Sequence, residues 1–174
     1  MGLGNPGRSY ERTRHNAGFL VADELARRYS GSWGKRKRAE VAQVSLLGIK
    51  DNITLLKPTT FMNNSGAAVA GYDASQLLVV HDDLDLPAGD VRVKVGGGAG
   101  GHNGLRSIIG RIGNDFVRVR IGVGRPPVEM SVTDYVLGRM DASVKEAVPR
   151  AADAVEAVIE SGSEAAMNYF NERA

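Results

Sequence analysis

The chain contains no cysteine. That excludes disulfides, thiolate catalysis and cysteine-held metal, and it fits a reducing compartment. No apolar run approaches the length of a membrane span. The opening Met1-Gly2-Leu3-Gly4-Asn5 lacks the basic-then-apolar build of a secretion signal. These absences lead to the expectation of a cytoplasmic protein. Histidine is scarce too, with three in 174 residues. They lie in Thr13-Arg14-His15-Asn16, His81-Asp82-Asp83-Leu84-Asp85 and Gly100-Gly101-His102-Asn103-Gly104, and none sits on an apolar stripe. Imidazole is the group most easily recruited for proton transfer near neutral pH. Without a thiol, histidine beside aspartate is the best catalytic pair the chain can offer.

At 43% hydrophobic and 24% charged residues, the sequence can bury an ordinary core. Its length fits one domain spanning 1–174. The net charge is only +2, but it is unevenly spread. Residues 1–40 carry nine Lys or Arg against four acids, and residues 140–174 carry three against seven. A basic half on a near-neutral chain reads either as a site for an anionic partner such as nucleic acid or as a solvated surface with chance clustering.

The pattern alternates strands and helices. Residues 1–16 read as a loop, and Asn16 is placed to cap a helix over 17–29 with Phe19, Ala22, Ala26 and Tyr29 on one face. Strands are expected over 39–47 and 52–57, joined by a turn near 48–51. A short helix is expected over 65–71. Leu77-Leu78-Val79-Val80 is a strand buried on both faces, running directly into His81-Asp82. Residues 91–95 and 116–123 alternate apolar with basic residues, as one-sided strands do. Between them a glycine-rich run leads into a helix carrying Leu105, Ile108, Ile109 and Ile112. The last third is helical, with a stripe of Val144, Val148, Ala151, Val155 and Val158 that Gly162 stops. Interleaved strands and helices predict an α/β fold with a mixed, largely parallel sheet.

Several motifs carry chemistry. The run 96–101 contains a G-x-G-x-x-G match, but it lies mid-chain and no strand-end acid follows at the dinucleotide-binding distance. Glycines there let the backbone bend sharply beside a substrate. Gly2-Leu3-Gly4-Asn5-Pro6-Gly7 lacks the Lys-Ser/Thr of a nucleotide P-loop, so Asn5 is read as a polar side chain at the mouth of a cleft. Asp82, Asp83 and Asp85 beside His81 could hold Mg²⁺; a strand-end Asp82 aimed at another motif is favoured, since no second acidic cluster exists. Phe61 and Met62 either join the core or floor a pocket, with Asn63 supplying a donor and an acceptor. Arg92, Lys94, Arg118 and Arg120 form one cationic patch if their strands are neighbours. Trp33-Gly34-Lys35-Arg36-Lys37-Arg38 is a second basic cluster, read either as a solvated loop or as a phosphate contact.

Taken together, these motifs resemble those of bacterial peptidyl-tRNA hydrolases. The matching residues are Gly2-Leu3-Gly4-Asn5-Pro6-Gly7, Tyr10, Thr13-Arg14-His15-Asn16, Lys57-Pro58, Thr60-Phe61-Met62-Asn63, Val80-His81-Asp82-Asp83-Leu84-Asp85-Leu86-Pro87, 96–107 and Arg120-Ile121-Gly122. The resemblance implies a single-domain three-layer α/β/α sandwich and an esterase that releases peptide from peptidyl-tRNA. It implies His15 as catalytic base and Asp82 as its orienting carboxylate. Asn5, Asn63 and Asn103 would be cleft amides, and Tyr10, Phe61, Met62 and His102 the cleft wall. Lys94 and Arg120 would clamp the phosphate of the tRNA end. The implied enzyme is a monomer and needs no metal or other cofactor. Two other classes stay open at this stage: a non-catalytic RNA-binding module, and a Mg²⁺ phosphohydrolase built on Asp82, Asp83 and Asp85.

The sequence departs from that family in two places. A strand usually precedes the Gly-Leu-Gly-Asn motif, whereas here Met1 falls at its end. The expectation is an upstream start or a lost strand, and a lost strand would loosen Asn5. The stretch from Ser65 to His81 is also several residues shorter than is usual, so an altered wall near Asn63 is expected.

Overall fold

A computed structural model describes residues 1–172; positions 173–174 of the expected single unit lie outside the described residues. In chain order the elements are α1 (Ala17–Arg28), β1 (Gly34–Lys35), β2 (Ala39–Val44), β3 (Ile53–Pro58), β4 (Leu78–Asp83), β5 (Val91–Val95), α2 (Asn103–Ile112), β6 (Val117–Gly122), α3 (Val132–Val136), α4 (Ala142–Glu146), α5 (Val148–Ser161) and α6 (Ser163–Phe170). A 3-10 stretch, Met62–Val69, stands where a short helix was expected.

The strands form two three-stranded groups, β1-β2-β3 and β4-β6-β5. The chain start knits them together. Gly2 N–H donates to Leu56 O on β3 at 2.9 Å, and Leu3 N–H donates to Val80 O on β4 at 3.0 Å. Asn5 therefore leaves the sheet between β3 and β4, beside the C-terminal end of β4. The α/β class and the mixed sheet are as expected, but the parallel majority is not. Among the named strands only β4 and β6 pair in parallel. The β1–β2, β2–β3 and β5–β6 pairs are antiparallel. Short connections force this for the first two, because a parallel pair needs a long crossover.

Helices cover both faces, as in a three-layer sandwich. On one side Val21 and Leu25 of α1 and Ala151 and Val155 of α5 share a core with Val80, Val119 and Ile121. On the other, Leu105 and Ile108 of α2 pack with Leu3, Met62, Val79 and Phe116. The strand β4 is buried on both faces because it lies between the two cores.

Two local expectations change. The buried face of α1 is Ala17, Val21, Ala22, Leu25 and Ala26, with Phe19 at its margin. Asn16 precedes the helix but makes no side-chain cap; its amide is engaged elsewhere, as described below. The edge strand β5 is finished by a side chain rather than by another strand. Asn171 accepts from Val93 N–H and donates to Val93 O, both at 2.8 Å. Such pairing blunts an exposed sheet edge.

Candidate active site

The continuous apolar run of β4 ends in His81 and Asp82, which places a carboxylate at the tip of a buried strand. Asp82 is only 3% exposed. His15, from the 3-10 turn Arg14–Asn16 before α1, brings Nδ1 to 2.8 Å from Asp82 Oδ2. His102, at the N-cap of α2, brings Nε2 to 2.8 Å from Asp82 Oδ1. Both carboxylate oxygens are thus occupied. Burial alone would raise the Asp82 pKa. The charges of His102 and His15, and then their hydrogen bonds, outweigh that and hold it far below the usual carboxylate range.

An ionised carboxylate only accepts, so each facing imidazole nitrogen donates. His15 therefore carries its proton on Nδ1 and leaves Nε2 as the basic nitrogen. His102 is fixed from both ends. Its Nδ1 accepts from the N–H groups of Gly104 at 3.1 Å and Leu105 at 3.3 Å, while its Nε2–H donates to Asp82. The His15 and His102 rings lie 4.8 Å apart. The sequence placed His102 in the cleft wall; its bond to Asp82 was missed. The signal was present, since a histidine directly before a helix is placed to meet the free N–H groups of the first turn.

His81 completes the cluster from behind. Its Nδ1 donates to the Asp82 carbonyl at 2.7 Å, and its ring is 5.2 Å from that of His102. Its Nε2 is buried without a partner among the described residues. Burial first, and the neighbouring His102 second, lower its pKa to about 4. It is a neutral ring in the fold.

The ligand atoms of His15, Asp82 and His102 lie within 4.8 Å of one another, close enough to surround a metal ion. Their protonation argues otherwise. The lone pair of His102 Nδ1 is turned toward two N–H groups, and Nε2 carries a proton, so this ring has no nitrogen lone pair to offer a cation at Asp82. The trio fits a hydrogen-bonded chain better than a coordination sphere. Asp83 is not beside it as a second acid. Arg120 Nε binds Asp83 Oδ2 at 2.8 Å, and this pairing overcomes burial to lower the Asp83 pKa.

A cleft with a free volume of about 320 Å³ opens over these groups. Asn5 stands in its wall, firmly anchored despite the early chain start. Asn5 N–H donates to Asn16 Oδ1 and Asn16 Nδ2 donates to Asn5 O, both at 2.9 Å. Asn5 Oδ1 accepts from Met62 N–H at 2.7 Å. The Asn5 Nδ2 donors face no partner among the described residues. This double clamp is the work of Asn16, which the sequence read as a helix cap.

Asn63 and Asn103 also line the cleft and are exposed. The shortened 65–81 stretch does not remove Asn63, because the 3-10 stretch is tied to α2 by Gly66 N–H donating to Ser107 Oγ at 2.9 Å. Phe61 is 58% exposed at the cleft and meets Tyr10 edge-on, with centroids 6.2 Å apart. Tyr10 itself lies outside the cleft lining, behind Phe61. Met62 is buried floor. A Cβ at position 104 would lie 2.6 Å from its sulfur, so Gly104 permits the approach of α2 to that floor.

The four strand cations do share one face, since Arg92 pairs with Arg120 and Lys94 with Arg118 across β5 and β6. They are not equivalent. Arg118 is 2% exposed and donates to Gly98 O at 2.5 Å and Gly97 O at 2.6 Å. It holds the glycine-rich loop from beneath. Arg120 is bound to Asp83, and Arg92 reaches the Asn171 carbonyl at 3.3 Å. Lys94 is exposed, without an ion pair among the described residues, and its ammonium lies over Gly97, where a Cβ would come within 2.7 Å.

The arrangement is a buried carboxylate held between two imidazoles, a free amide donor and a polar cleft bordered by cations. Comparison with known proteins gives it a family. The chain matches the peptidyl-tRNA hydrolase family profile over residues 1–174. It is 68% identical to a peptidyl-tRNA hydrolase of Rubrobacter xylanophilus, with all of both chains covered. It is 47% identical to one of Rhodococcus erythropolis, over 98% of this chain and 96% of the other. The crystal structure of peptidyl-tRNA hydrolase from Acinetobacter baumannii superposes with a TM-score of 0.88 at 36% identity, covering 98% of this chain and 92% of that one. A family match over the whole chain, close relatives along its full length and the same fold lead to one conclusion: the chain belongs to the peptidyl-tRNA hydrolase family.

Proposed function

We propose that this protein hydrolyses the ester joining a peptide to the 3′ end of tRNA, with His15 as base and Asp82 as its orienting acid. The observation that carries the reading is the 2.8 Å contact between His15 Nδ1 and the buried Asp82 carboxylate, at the edge of the cleft. Asp82 fixes the His15 tautomer, so Nε2 is free to take a proton from water. The water oxygen attacks the ester carbonyl carbon, and His15 becomes an imidazolium stabilised by Asp82. Negative charge grows on the carbonyl oxygen. Asn5 Nδ2 is the donor best prepared to meet it, because its own Oδ1 and backbone are already held by Met62 and Asn16. When the ester C–O bond breaks, His15 returns the proton to the ribose oxygen. The products are a tRNA with a free terminal hydroxyl and a peptide carboxylic acid, which gives its remaining proton to solvent and leaves as the carboxylate.

Asn63 and Asn103 line the path of the substrate, Phe61 and Met62 offer it an apolar face backed by Tyr10, and Lys94 with Arg120 meets a terminal phosphate. No step needs a metal or other cofactor, and the tautomer of His102 supports that. The enzyme works as a monomer in the cytoplasm. Among the described residues no helix is long and apolar enough to cross a membrane. A purely RNA-binding module has no use for a buried carboxylate shared by two imidazoles, and that reading is set aside.

The test is turnover of an N-acetylated aminoacyl-tRNA beside the free aminoacyl form. Release of the acetylated residue with little action on the free amine is expected. Equal action on both would assign the cleft to a general aminoacyl esterase.

A further inference from the structure

A second and larger groove, of about 1280 Å³, lies beside the cleft, and the proposed mechanism does not use it. Asn5 lines both, so the two spaces meet there. The groove runs past the 3-10 turn Arg8–Tyr10, over β1 to β3, to the start of α4. In the order of the strands it lies on the β3 side of β4, whereas Lys94 and Arg120 stand beyond β4 on the other side.

Its charges are unbalanced once existing pairs are removed. Lys57 binds Asp23 at 2.6 Å and Glu40 at 3.3 Å, and Arg14 binds Asp141 at 3.2 Å. Among the described residues Glu11 is then the one acid of the groove without an ion pair. Against it stand Arg8, Arg12, Lys35, Arg139 and Lys145, all exposed and none in an ion pair among the described residues. Lys35 continues into Arg36, Lys37 and Arg38 at the β1–β2 turn, also exposed and without acids. Arg36 and Arg38 find only backbone carbonyls, those of Lys35 at 3.1 Å and Ala67 at 3.4 Å. A chain of net charge +2 therefore gathers uncompensated positive charge on one surface continuous with its cleft.

We propose that this groove and the adjoining hairpin turn track the phosphate backbone of the RNA substrate, as a second contact separate from Lys94 and Arg120. The inference rests on the peptidyl-tRNA reading of the cleft. A strand of RNA carries a negative charge at every nucleotide and matches a run of free cations whatever its sequence. A peptide arm of varied sequence gains nothing general from charge of one sign. Binding along the groove releases counterions, so its effect weakens as salt rises.

The experiment compares two substrates that share the same ester: an N-acetylaminoacyl-tRNA, and the same residue on a 3′-terminal trinucleotide. Each is tested with the unaltered protein and with Arg12→Glu/Lys35→Glu/Lys37→Glu, between low and moderate salt. kcat/KM on the tRNA should fall about tenfold or more at low salt, and its dependence on log salt should flatten by about 0.7–0.9 for each phosphate no longer neutralised. Turnover of the trinucleotide ester should stay unchanged. Lys37→Ala alone, at the hairpin tip, should give a smaller loss in the same direction without disturbing the fold. Unchanged activity on tRNA overturns the proposal. So does an equal loss on both substrates, which would give the groove to the shared acyl end instead. Failure of the unaltered protein on both esters would remove the reading of the cleft itself.

Discussion

At the scale of single residues, the site depends on which nitrogen carries which proton. Asp82 has two oxygens and two imidazole donors, so neither ring can turn without leaving a buried oxygen unpaired. His81 adds a pH dependence. Its folded pKa, about 4, lies below the ordinary 6.5, so the fold favours the neutral ring. Its stabilising contribution is complete above pH 6.5 and is lost as pH falls from there toward 4. His81→Asn, whose amide can still donate to the Asp82 carbonyl, should be less sensitive to acid in that window. Thermal unfolding midpoints at pH 7 and pH 4.5 check this; an equal drop in both proteins would mean that His81 does not titrate with unfolding. The identities of His15, Asp82 and Asn5 were legible in the sequence because each stood in a polar motif where an apolar pattern broke. The pairing of His15 with Asp82 came from the resemblance, but the second partner of Asp82, His102, and the clamp of Asn16 on Asn5 were not legible. No local period records a contact made across the fold.

At the scale of elements, the glycine-rich loop is the least self-sufficient part of the site. Glycines give it conformational freedom, and Arg118 removes that freedom by binding the Gly97 and Gly98 carbonyls. Burial and the nearby Arg120 lower the Arg118 pKa, yet a guanidinium stays charged and its bonds remain charge-assisted. Arg118→Met should free the loop. Amide exchange over residues 96–101 should speed up about tenfold or more, since bonds to a charged donor contribute roughly 1.5–3 kcal/mol. KM should rise more than kcat falls, because Lys94 lies on Gly97 while His15 and Asp82 lie elsewhere. Unchanged exchange would show that the loop is held by other means. The sequence disclosed Arg118 only as one of four alternating cations, because strand alternation tells which side a residue faces and not how deeply it is covered. Strand positions were legible for the same reason. Pairing direction was not, because an alternating pattern reads alike in parallel and antiparallel neighbours.

At the scale of the whole molecule, three remote pieces of chain meet at one end of β4: the turn before α1, the strand tip and the start of α2. The fold supports this junction from both faces, with a core under α1 and α5 and another under α2. Acid threatens it as a unit. The Asp82 pKa is depressed in the fold, so its contribution is present above the ordinary carboxylate range and is lost as pH falls through and below it. The architecture was legible from the order of strands and helices, since each buried run had to find cover on two sides. The join between the two strand groups was not, for it rests on the backbone of Met1 to Leu3, which carries no side-chain signature. The central claim is that Asp82 sets the proton position on His15 for attack by water. The most direct test is single-turnover hydrolysis of peptidyl-tRNA by Asp82→Asn, with tRNA binding measured alongside. The account predicts a rate loss on the order of a thousandfold or more with affinity retained, and a turnover equal to that of the unaltered protein would contradict it.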